Sequence, residues 1–597
     1  MPKDINIGTQ KNRLIVYIFL SAITLAAYWQ VYQFGFVNID DSLYVTENSR
    51  VQSGIAWKSF SWAFLTTYAE FWHPLTWLSL MLDYQLFGLN AGGYHVTNLF
   101  LHILSTLMLF WLFERITKEV WKSAFVAALF AIHPLHVESV AWIGERKDIL
   151  SAFFWMMTLC LYVYYTEKPV IRRYLPVLFS FMLALMSKPM VVTLPLIMIL
   201  LDFWPLKRCE SGKDLLLWQV KEKIPFFILS AMFALLAFLA QQNQTVKNFS
   251  LISRLVNAPV SFVAYLFKTF WPFHLTIFYP FSQQVALLQV FGAVLFIILI
   301  STAVIMMSRR WPYLFVGWFW YCITILPVIG IIQIGKHAMA DRYTYLPLIG
   351  IGVILAWSVP ALFAKGGKYS KILFSAAIVF IVFWTLLTGR QCGYWENSKK
   401  LFRHALSVTE NNYLAHNNLG LAFFAEGKTG EAIDQYNHSL SIKPMMPDHF
   451  FVYNNRGLAY ARLGLHQKAL EDLSRAIELK PDYADAYGNR GVVYSKLEYH
   501  QLAFEDFNKA IALNPDDPDL YINRGIASVK LDFYQRAIDD FSKAIELNPN
   551  NLDALYKRSV VYLEQGNKEL GCRDARKTCE LGNCQILKSA QSKGDCQ

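Results

Sequence analysis

The chain has 597 residues, of which 55% are hydrophobic, 16% aromatic and only 17% charged. This much apolar surface exceeds what a soluble protein buries, so the composition excludes a soluble globular protein and indicates a polytopic membrane protein. The formal net charge of +11 lies mostly in loops between apolar runs, so it reflects membrane topology and gives no support to a nucleic-acid partner.

The apolar runs extend to about residue 389, and a polar region with a helical pattern follows. At about 20 residues for each crossing, we predict about eleven spans within residues 1–390. They begin near residues 14, 96, 121, 149, 174, 189, 224, 285, 312, 343 and 371. Two further stretches, 74–90 and 255–272, carry polar side chains and are predicted to be interfacial or re-entrant helices.

The basic loops predict the orientation, because Lys and Arg accumulate in cytoplasmic loops. The first apolar run is too long for a signal peptide and lacks a cleavage site, so we expect it to remain as a span. With a cytoplasmic N-terminus, an odd number of spans places the loop 35–95 and the C-terminal third on the opposite side of the membrane.

An acidic pair, Asp40 and Asp41, follows the first predicted span in the segment FGFVNIDDSLYVTEN. Charged groups are costly near hydrocarbon, so two carboxylates at this position require a reason. A carboxylate at the membrane surface can take a proton from an acceptor hydroxyl while a lipid phosphate departs. The alternative is that the pair has a structural role only.

Several cations and histidines fall on the same predicted side of the membrane. The residues predicted to bind a donor phosphate are His133, His136, Arg146, Lys147, Lys188 and Arg342. Those predicted to support them are His73, Glu138 and Asp148. Structural alternatives remain for each: a solvated loop at 145–148, a span boundary at Lys188, and an ion pair between Asp341 and Arg342. Pro134 disturbs the His-x-x-His-x-Glu spacing, so we predict no metal there.

The C-terminal third repeats with a period of about 34 residues, which is the signature of tetratricopeptide repeats (TPRs). Clear units are predicted at 413–446, 450–483, 484–517 and 518–551, within a domain spanning 391–582. A degenerate unit is predicted at 552–582, and 395–412 matches the second helix of a further one. Glycines that permit close helix contact recur at Gly420, Gly457, Gly491 and Gly525, and prolines end the units at Pro444, Pro481, Pro515 and Pro549. The pattern predicts an α-solenoid.

An asparagine recurs at one position in the first helix of each clear unit, namely Asn418, Asn455, Asn489 and Asn523. A similar ladder holds the protein substrate in the cytosolic GlcNAc transferase, which resembles this region in carrying TPRs. The ladder is therefore predicted to bind an acceptor protein, since amides both donate and accept hydrogen bonds. Alternatively, Asn-Arg-Gly is simply common in such repeats.

Four cysteines, Cys572, Cys579, Cys584 and Cys596, lie in the last predicted repeat and the tail 583–597. Their spacing fits no common zinc pattern, so disulfides are favoured over a metal. Three pairings are possible for four thiols.

The order of motifs IDDSLYVTENSRVQSG, HPLHVESVAWIGERKDILS, SKPMVVTLPLIMILLDFWP and ADRYTYLPLIG, followed by repeats, resembles the TMTC family of transmembrane, TPR-containing O-mannosyltransferases, and its bacterial relatives more closely. The resemblance spans nearly the whole chain. It implies an all-α protein, with a GT-C glycosyltransferase bundle followed by a TPR solenoid. It also implies that Asp40 and Asp41 are catalytic, with Asp40 as the preferred base.

The resemblance implies transfer of mannose or a similar hexose from a polyprenyl phosphate to Ser or Thr of a protein, with inversion. The partners would be the lipid-linked donor, the acceptor protein and membrane lipid. No cofactor is expected, although two adjacent carboxylates can bind a divalent metal. The chain is short beside the animal members and has no ER-retention tail, which favours a bacterial inner membrane. Two alternatives are a noncatalytic membrane scaffold for envelope assembly and a ligase or polymerase of lipid-linked glycans.

Overall fold

The computed structural model describes residues 7–208, 213–241, 250–281, 285–331, 337–362, 367–442 and 449–596. Helices dominate, and the described residues contain no strand beyond one isolated bridge between Pro280 and His337. The predicted all-α fold is confirmed. The chain divides into an N-terminal unit, Met1–Asn412, and a C-terminal unit, Tyr413–Gln597.

The boundary between the units lies later than the predicted residue 390. Helix Ser398–Val408, predicted to be half of a repeat, packs within the N-terminal unit. The Asn38 backbone N–H donates to Ser398 Oγ at 2.9 Å, and His404 Nε2 lies 2.9 Å from the Leu275 carbonyl oxygen. Tertiary contacts of this kind leave no trace in the period of a sequence, so the repeat pattern placed the boundary too early.

The N-terminal unit contains a series of α-helices joined by short 3₁₀ segments. The α-helices are Ile7–Tyr28, Ser49–Gln52, Trp57–Leu65, Pro74–Phe87, Ala91–Thr117, Val120–Ile132, Val137–Ala141, Arg146–Glu167, Ile171–Ser187, Leu194–Phe203, Lys213–Gln241, Leu251–Phe270, Leu287–Met307, Pro312–Ile325, Leu348–Leu362, Gly367–Gly393 and Ser398–Val408. The 3₁₀ segments are Trp29–Gln33, Tyr68–Glu70, Pro134–His136, Ile143–Glu145, Pro189–Thr193, Leu326–Val328 and Asp341–Thr344, and Ser42–Thr46 is a π-helical turn.

Among the described residues, six helices are long and apolar enough to cross a membrane, or seven if one bent pair forms a single span. The bent pair, Val120–Ile132 and Pro134–Ala141, turns by 50° at the residue before Pro134, because proline cannot continue the helical hydrogen bonding. Shorter apolar helices lie at three other predicted spans: Pro189–Phe203, Pro312–Val328 and Leu348–Pro360. The protein is thus a multi-pass membrane protein, and its described residues contain fewer full-length spans than the about eleven predicted.

The loop after the first helix folds into a compact layer of its own. Tyr44 and Val45 pack with Trp77, Leu80 and Met81 in a fully buried apolar cluster. Within this layer the Asn48 side chain caps a short helix by accepting from two backbone N–H groups. The apolar cluster holds the segment that carries Asp40 and Asp41 against the helices of the bundle.

The C-terminal unit consists of paired helices, as predicted for a solenoid of TPRs. Its helices are Tyr413–Ala425, Thr429–Ser441, Phe450–Arg462, His466–Leu479, Ala484–Lys496, His500–Leu513, Pro518–Lys530, Tyr534–Leu547, Leu552–Glu564, Lys568–Glu580 and Gln585–Ser592. A Cβ atom at Gly491 would lie 2.8 Å from the Phe507 ring, and one at Gly525 would lie 2.7 Å from Phe541, so glycine is required for the close contact within each pair. Pro444 lies outside the described residues.

An arginine ladder, which the sequence analysis did not single out, links successive repeats. Each arginine forms a two-pronged ion pair with an aspartate in the same repeat and also bonds to the second helix of the preceding repeat. The pairs are Arg456–Asp472, Arg490–Asp506, Arg524–Asp540 and Arg558–Asp574, with bonds to Asn437, Ser474, Asn508 and Ser542 respectively. The constant spacing of Arg and Asp was the signal that could have revealed it.

The four C-terminal cysteines form disulfides, as predicted. Cys572 pairs with Cys596, and Cys579 pairs with Cys584. The first bond attaches the chain end to helix Lys568–Glu580, which selects one of the three possible pairings.

Candidate functional site

The two carboxylates of the acidic pair have different environments. Asp41 is 1% exposed, and its carboxylate accepts hydrogen bonds from the backbone N–H groups of Val37 at 2.8 Å and Gly144 at 2.9 Å. Asp40 retains partial exposure, and its Cβ would lie 3.1 Å from a Cβ placed on Gly144. Asp41 therefore anchors the loop to the segment around Gly144, whereas Asp40 remains partly accessible to solvent.

Three cations from distant parts of the chain converge on Glu145. Lys147 Nζ lies 3.2 Å from Glu145 Oε1, and Lys188 Nζ lies 3.3 Å from Oε2. Arg342 Nε lies 3.2 Å from Oε1. A buried carboxylate with three cationic neighbours fixes the positions of all three charges, because each would otherwise be costly to bury.

The remaining acidic residues pair with the same cations. Asp148 contacts the Lys188 amine, and Glu138 contacts the Arg342 guanidinium and also accepts from the Arg342 backbone N–H at 3.1 Å. We call the whole set the Glu145 cluster; its members are Asp40, Asp41, Glu138, Glu145, Lys147, Asp148, Lys188 and Arg342. Seven of the eleven site residues predicted within 1–390 thus meet at one place.

Aromatic rings border the cations of the Glu145 cluster. The Lys147 amine lies 4.7 Å from the centre of the Tyr44 ring, and the Arg342 guanidinium lies 5.4 Å from that of Trp142. Lys147 also donates to the Gly144 carbonyl oxygen at 2.8 Å. Ring faces attract cations and exclude water, so they hold these charges in place without neutralising them.

Arg146 occupies a separate position from the other cations. Its side chain is fully buried and donates to Asp83 at 2.6 Å, Ser79 at 2.7 Å and the Tyr94 carbonyl oxygen at 2.9 Å. A guanidinium with these partners ties helix Arg146–Glu167 to helices Pro74–Phe87 and Ala91–Thr117. The structure therefore gives Arg146 a structural position in place of the phosphate contact expected from the sequence.

All three predicted histidines are buried in the packed interior; His133 and His136 lie away from the cations, whereas His73 lies near Lys147 and Lys188. His133 Nε2 lies 3.0 Å from the Thr269 carbonyl oxygen, and His136 Nδ1 lies 2.7 Å from that of Phe130. His73 is 1% exposed, and its ring contacts those of Tyr44 and Trp77. Burial lowers the pKa of His73 well below its usual value, so the ring stays neutral and cannot add positive charge to a phosphate site.

Burial also governs the titration of the acidic pair. It raises the pKa of Asp41 to about 7, although the hydrogen bonds from Val37 and Gly144 act in the opposite direction. Burial raises the pKa of Asp40 as well, and the nearby Lys147 opposes the rise. A carboxyl group whose pKa is raised in this way binds a proton more readily, which is the property required of a general base.

Sequence reasoning missed Glu145 and Gly144. The motif IGERKD contains both, and a solvated loop is one interpretation of residues 145–148, but the 3₁₀ turn Ile143–Glu145 buries Glu145. The sequence contained one signal for Glu145. Three cations, Lys147, Lys188 and Arg342, lie on one predicted side of the membrane, and cations that meet there require a carboxylate among them.

The asparagine ladder forms hydrogen bonds between repeats in part of its length. Asn455 Nδ2 donates to Asn417 at 3.0 Å, and Asn489 Nδ2 donates to Asn454 at 2.9 Å. Asn418 donates to the Leu414 carbonyl oxygen of its own helix. Asn455 and Asn489 each donate to the residue before the ladder asparagine of the preceding repeat; for Asn523 that residue is Gly488, which has no side-chain amide. All four amides remain partly exposed.

Within the described part of the chain, no three or more His, Cys, Asp or Glu side chains are grouped so that they could hold a metal ion. That the reaction needs no metal stays a prediction from the sequence.

Family comparisons identify the repeats. Tetratricopeptide-repeat profiles match residues 413–444, 450–483, 484–517, 518–551 and 541–572. Solved structures similar to this region include YrrB, described as a TPR protein with an unusual peptide-binding site. It is 20% identical, with a TM-score of 0.28, covering 32% of this chain and 97% of that one. MamA of Desulfovibrio magneticus RS-1 is also 20% identical, with a TM-score of 0.27, covering 30% and 98%.

Curated relatives are protein O-mannosyl-transferases. One from Caenorhabditis elegans is 25% identical over 380 residues, which are 62% of this chain and 54% of that protein. TMTC2 of Homo sapiens is 32% identical over 158 residues, covering 25% and 19%, and Tmtc2 of Drosophila melanogaster is 31% identical over 154 residues, covering 24% and 16%. The chain spans about half the length of the first relative and less of the others. The chain is therefore similar to the TMTC proteins, and its C-terminal unit carries tetratricopeptide repeats.

Proposed function

We propose that the protein is an integral membrane glycosyltransferase that moves mannose or a similar hexose from a polyprenyl phosphate to Ser or Thr of a protein. The observation that carries this proposal is the Glu145 cluster, where the partly exposed carboxylate of Asp40 lies near Lys147 and Arg342, and these two cations converge with Lys188 on Glu145. The similarity to protein O-mannosyl-transferases supports the same reaction class.

In the proposed reaction, Asp40 takes the proton of the acceptor hydroxyl as its oxygen bonds to the anomeric carbon of the sugar. The bond between that carbon and the phosphate oxygen breaks on the opposite face, which inverts the configuration. The electron pair leaves with the polyprenyl phosphate. Lys147, Lys188 and Arg342 stabilise the negative charge that develops on the phosphate, and Asp41 holds the Asp40 segment in place.

We also propose a cell inner membrane location, with the Glu145 cluster and the repeats on the extracytoplasmic side. The basic loops predict this orientation. Two disulfides in the C-terminal unit support it, because disulfides persist in oxidising compartments. The repeats would then recruit the acceptor protein on the side where transfer occurs.

The test uses the full chain in lipid nanodiscs with radiolabelled polyprenyl phosphate mannose and acceptor peptides containing Ser and Thr. We expect a hexose-sized mass gain on Ser or Thr and a fall in kcat of about 10²- to 10⁴-fold for Asp40→Asn. Glu47→Gln, an exposed residue of the same loop, is the control and should leave kcat unchanged. Full transfer by Asp40→Asn would contradict the proposal. No transfer with any lipid-linked sugar would favour the scaffold.

Two further measurements address the base and the metal. Because burial raises the pKa of Asp40, kcat/KM should rise with pH through that raised pKa and then level off. We propose that no metal is required, so transfer should survive dialysis against EDTA. Loss of activity that Mg²⁺ or Mn²⁺ restores would instead show that the reaction requires a divalent metal.

A further inference from the structure

A cavity of about 300 Å³ opens among the first three repeats. Its apolar wall combines Phe424 from the first repeat, Leu458 and Ala461 from the second, and Val492 from the third. The wall is open partly because Ala461 is small; two repeats later the same position is occupied by Val529. The volume lies at the lower end of the range for ligand pockets and can accept one large side chain.

Polar groups stand beside this apolar wall. Lys496 is exposed, and no partner for its amine exists in the described ranges of the chain. Asn489 donates through Nδ2 to Asn454 at 2.9 Å, which leaves its carbonyl oxygen as a hydrogen-bond acceptor at the cavity. Arg462 donates to the Phe424 carbonyl oxygen at 3.0 Å and lies 4.9 Å from the centre of the Phe424 ring, so its charge is held at the rim.

Charge is distributed unevenly along the first helices of these repeats. Arg462, Lys496 and Lys530 end three successive first helices, whereas Asp485 and Asp519 lie in the first turns of two of them. The cavity lies at the basic end, since both Arg462 and Lys496 line it. The complementary ligand therefore carries a carboxylate next to its apolar group.

We propose that this cavity binds an extended protein segment in which a large apolar side chain is followed by an acidic residue. The apolar side chain fills the space between Phe424, Leu458 and Val492. The acidic side chain pairs with Lys496, and a backbone N–H of the segment donates to Asn489. The assignment rests on the proposed function only in taking the segment to belong to the acceptor protein.

The test measures binding of fluorescein-labelled Gly-Ser peptides to the full chain in nanodiscs by fluorescence anisotropy, without a sugar donor. One peptide carries phenylalanine followed by aspartate, a second phenylalanine followed by asparagine, and a third serine followed by asparagine. We expect the first peptide to bind about tenfold more tightly than the third, which corresponds to about 1.4 kcal/mol of binding free energy. Equal affinity for the three would overturn the proposal.

Matched variants locate the site. Ala461→Leu fills the cavity and should abolish the preference for phenylalanine, whereas Ser495→Leu, at the same position one repeat later, should not. Lys496→Glu should remove the preference for aspartate over asparagine, and Lys530→Glu should retain it. If Ala461→Leu and Lys496→Glu leave the peptide preference unchanged, the peptide binds elsewhere and the proposal is wrong. If lipid or a second copy of the chain displaces the peptide, that molecule and not an acceptor segment occupies the cavity.

The outcome is separable from that of the transfer assay. Asp40→Asn should bind the peptides as the unaltered protein does, since no sugar is moved. Peptide preference without transfer in any assay would sustain this inference and refute the proposed function. Transfer without peptide preference would do the reverse. Thermal unfolding of each variant excludes misfolding as the cause of lost binding.

Discussion

Two clusters of buried charges lie at opposite ends of helix Arg146–Glu167, and they differ in the ratio of carboxylates to cations. The Asp202 cluster, at the Glu167 end, consists of Tyr162, Asp202, Arg208, Glu222 and Lys223. It has two carboxylates and two cations, and Asp202 and Lys223 are both fully buried at 2.6 Å from each other. A set of charges that is balanced in this way serves to join helices.

The Glu145 cluster has five carboxylates and three cations and is partly open. Its three cations pair with Glu138, Glu145 and Asp148, so the acidic pair is the excess. Burial, and to a smaller extent the neighbouring charge of Asp40, raises the pKa of Asp41, so this excess carboxyl group retains its proton more readily. The ratio of carboxylates to cations therefore differs between the Asp202 cluster and the cluster for which we propose proton transfer.

The largest expected effect concerns the balanced cluster. Asp202→Asn removes one of the two carboxylates that pair with buried Lys223 and should lower the free energy of unfolding by about 3–5 kcal/mol, because Lys223 and Arg208 are then left with the single carboxylate of Glu222. Activity per folded molecule should stay normal. Thermal unfolding in nanodiscs, followed by transfer at a temperature where the variant is folded, measures both. A variant of normal stability with lost transfer would reverse the comparison.

Glu145→Gln should have the next largest effect. It keeps the shape of the side chain but removes the charge that holds Lys147, Lys188 and Arg342 together. We expect KM for the donor to rise about tenfold, a loss of about 1.4 kcal/mol, with a smaller change in kcat. Initial rates over a series of donor concentrations separate the two parameters. Glu167→Gln, at the other end of the same helix, is the control, and an unchanged KM would remove Glu145 from its positioning role.

The acidic pair should make stability depend on pH. Burial raises the pKa of Asp41 from 3.8 to about 7, so between these values the folded state binds a proton that the unfolded state has released. Stability from this group therefore falls as pH rises from about 4 to 7 and is constant above that range. The difference in Tm between the unaltered protein and Asp41→Asn should shrink over this window. A difference independent of pH would show that Asp41 is ionised throughout.

The smallest expected effect comes from Gly144→Ala. The added methyl group would lie 3.1 Å from Asp40 Cβ and 3.0 Å from Trp142 Nε1, so both must shift by a few tenths of an ångström. We expect kcat to fall a few-fold, about 1 kcal/mol, because proton transfer depends on a close approach. Gly389→Ala, where the nearest atom is 3.6 Å away, should leave kcat unchanged. If both variants behave alike, Asp40 does not depend on the position of Gly144.

The sequence by itself determined the class and order of the molecule. Its composition required a membrane protein, its period of about 34 residues required a solenoid, and Pro134 required a break in one helix. It also singled out Asp40, Asp41, Lys147, Lys188 and Arg342, because charged residues next to apolar runs are conspicuous. These features are local or periodic, and such features survive in a linear chain.

Only the tertiary structure decided which of these charges meet. Arg146 is adjacent in sequence to Lys147, yet successive residues at the start of a helix point in different directions, so Arg146 reaches Asp83 while Lys147 reaches Glu145. The same packing buries His133 and His136 away from the cations. It also separates Asp41, held by two backbone N–H groups, from the more exposed Asp40. Contacts between residues more than a hundred positions apart, such as Asp41 with Gly144, depend on packing, which no local pattern encodes.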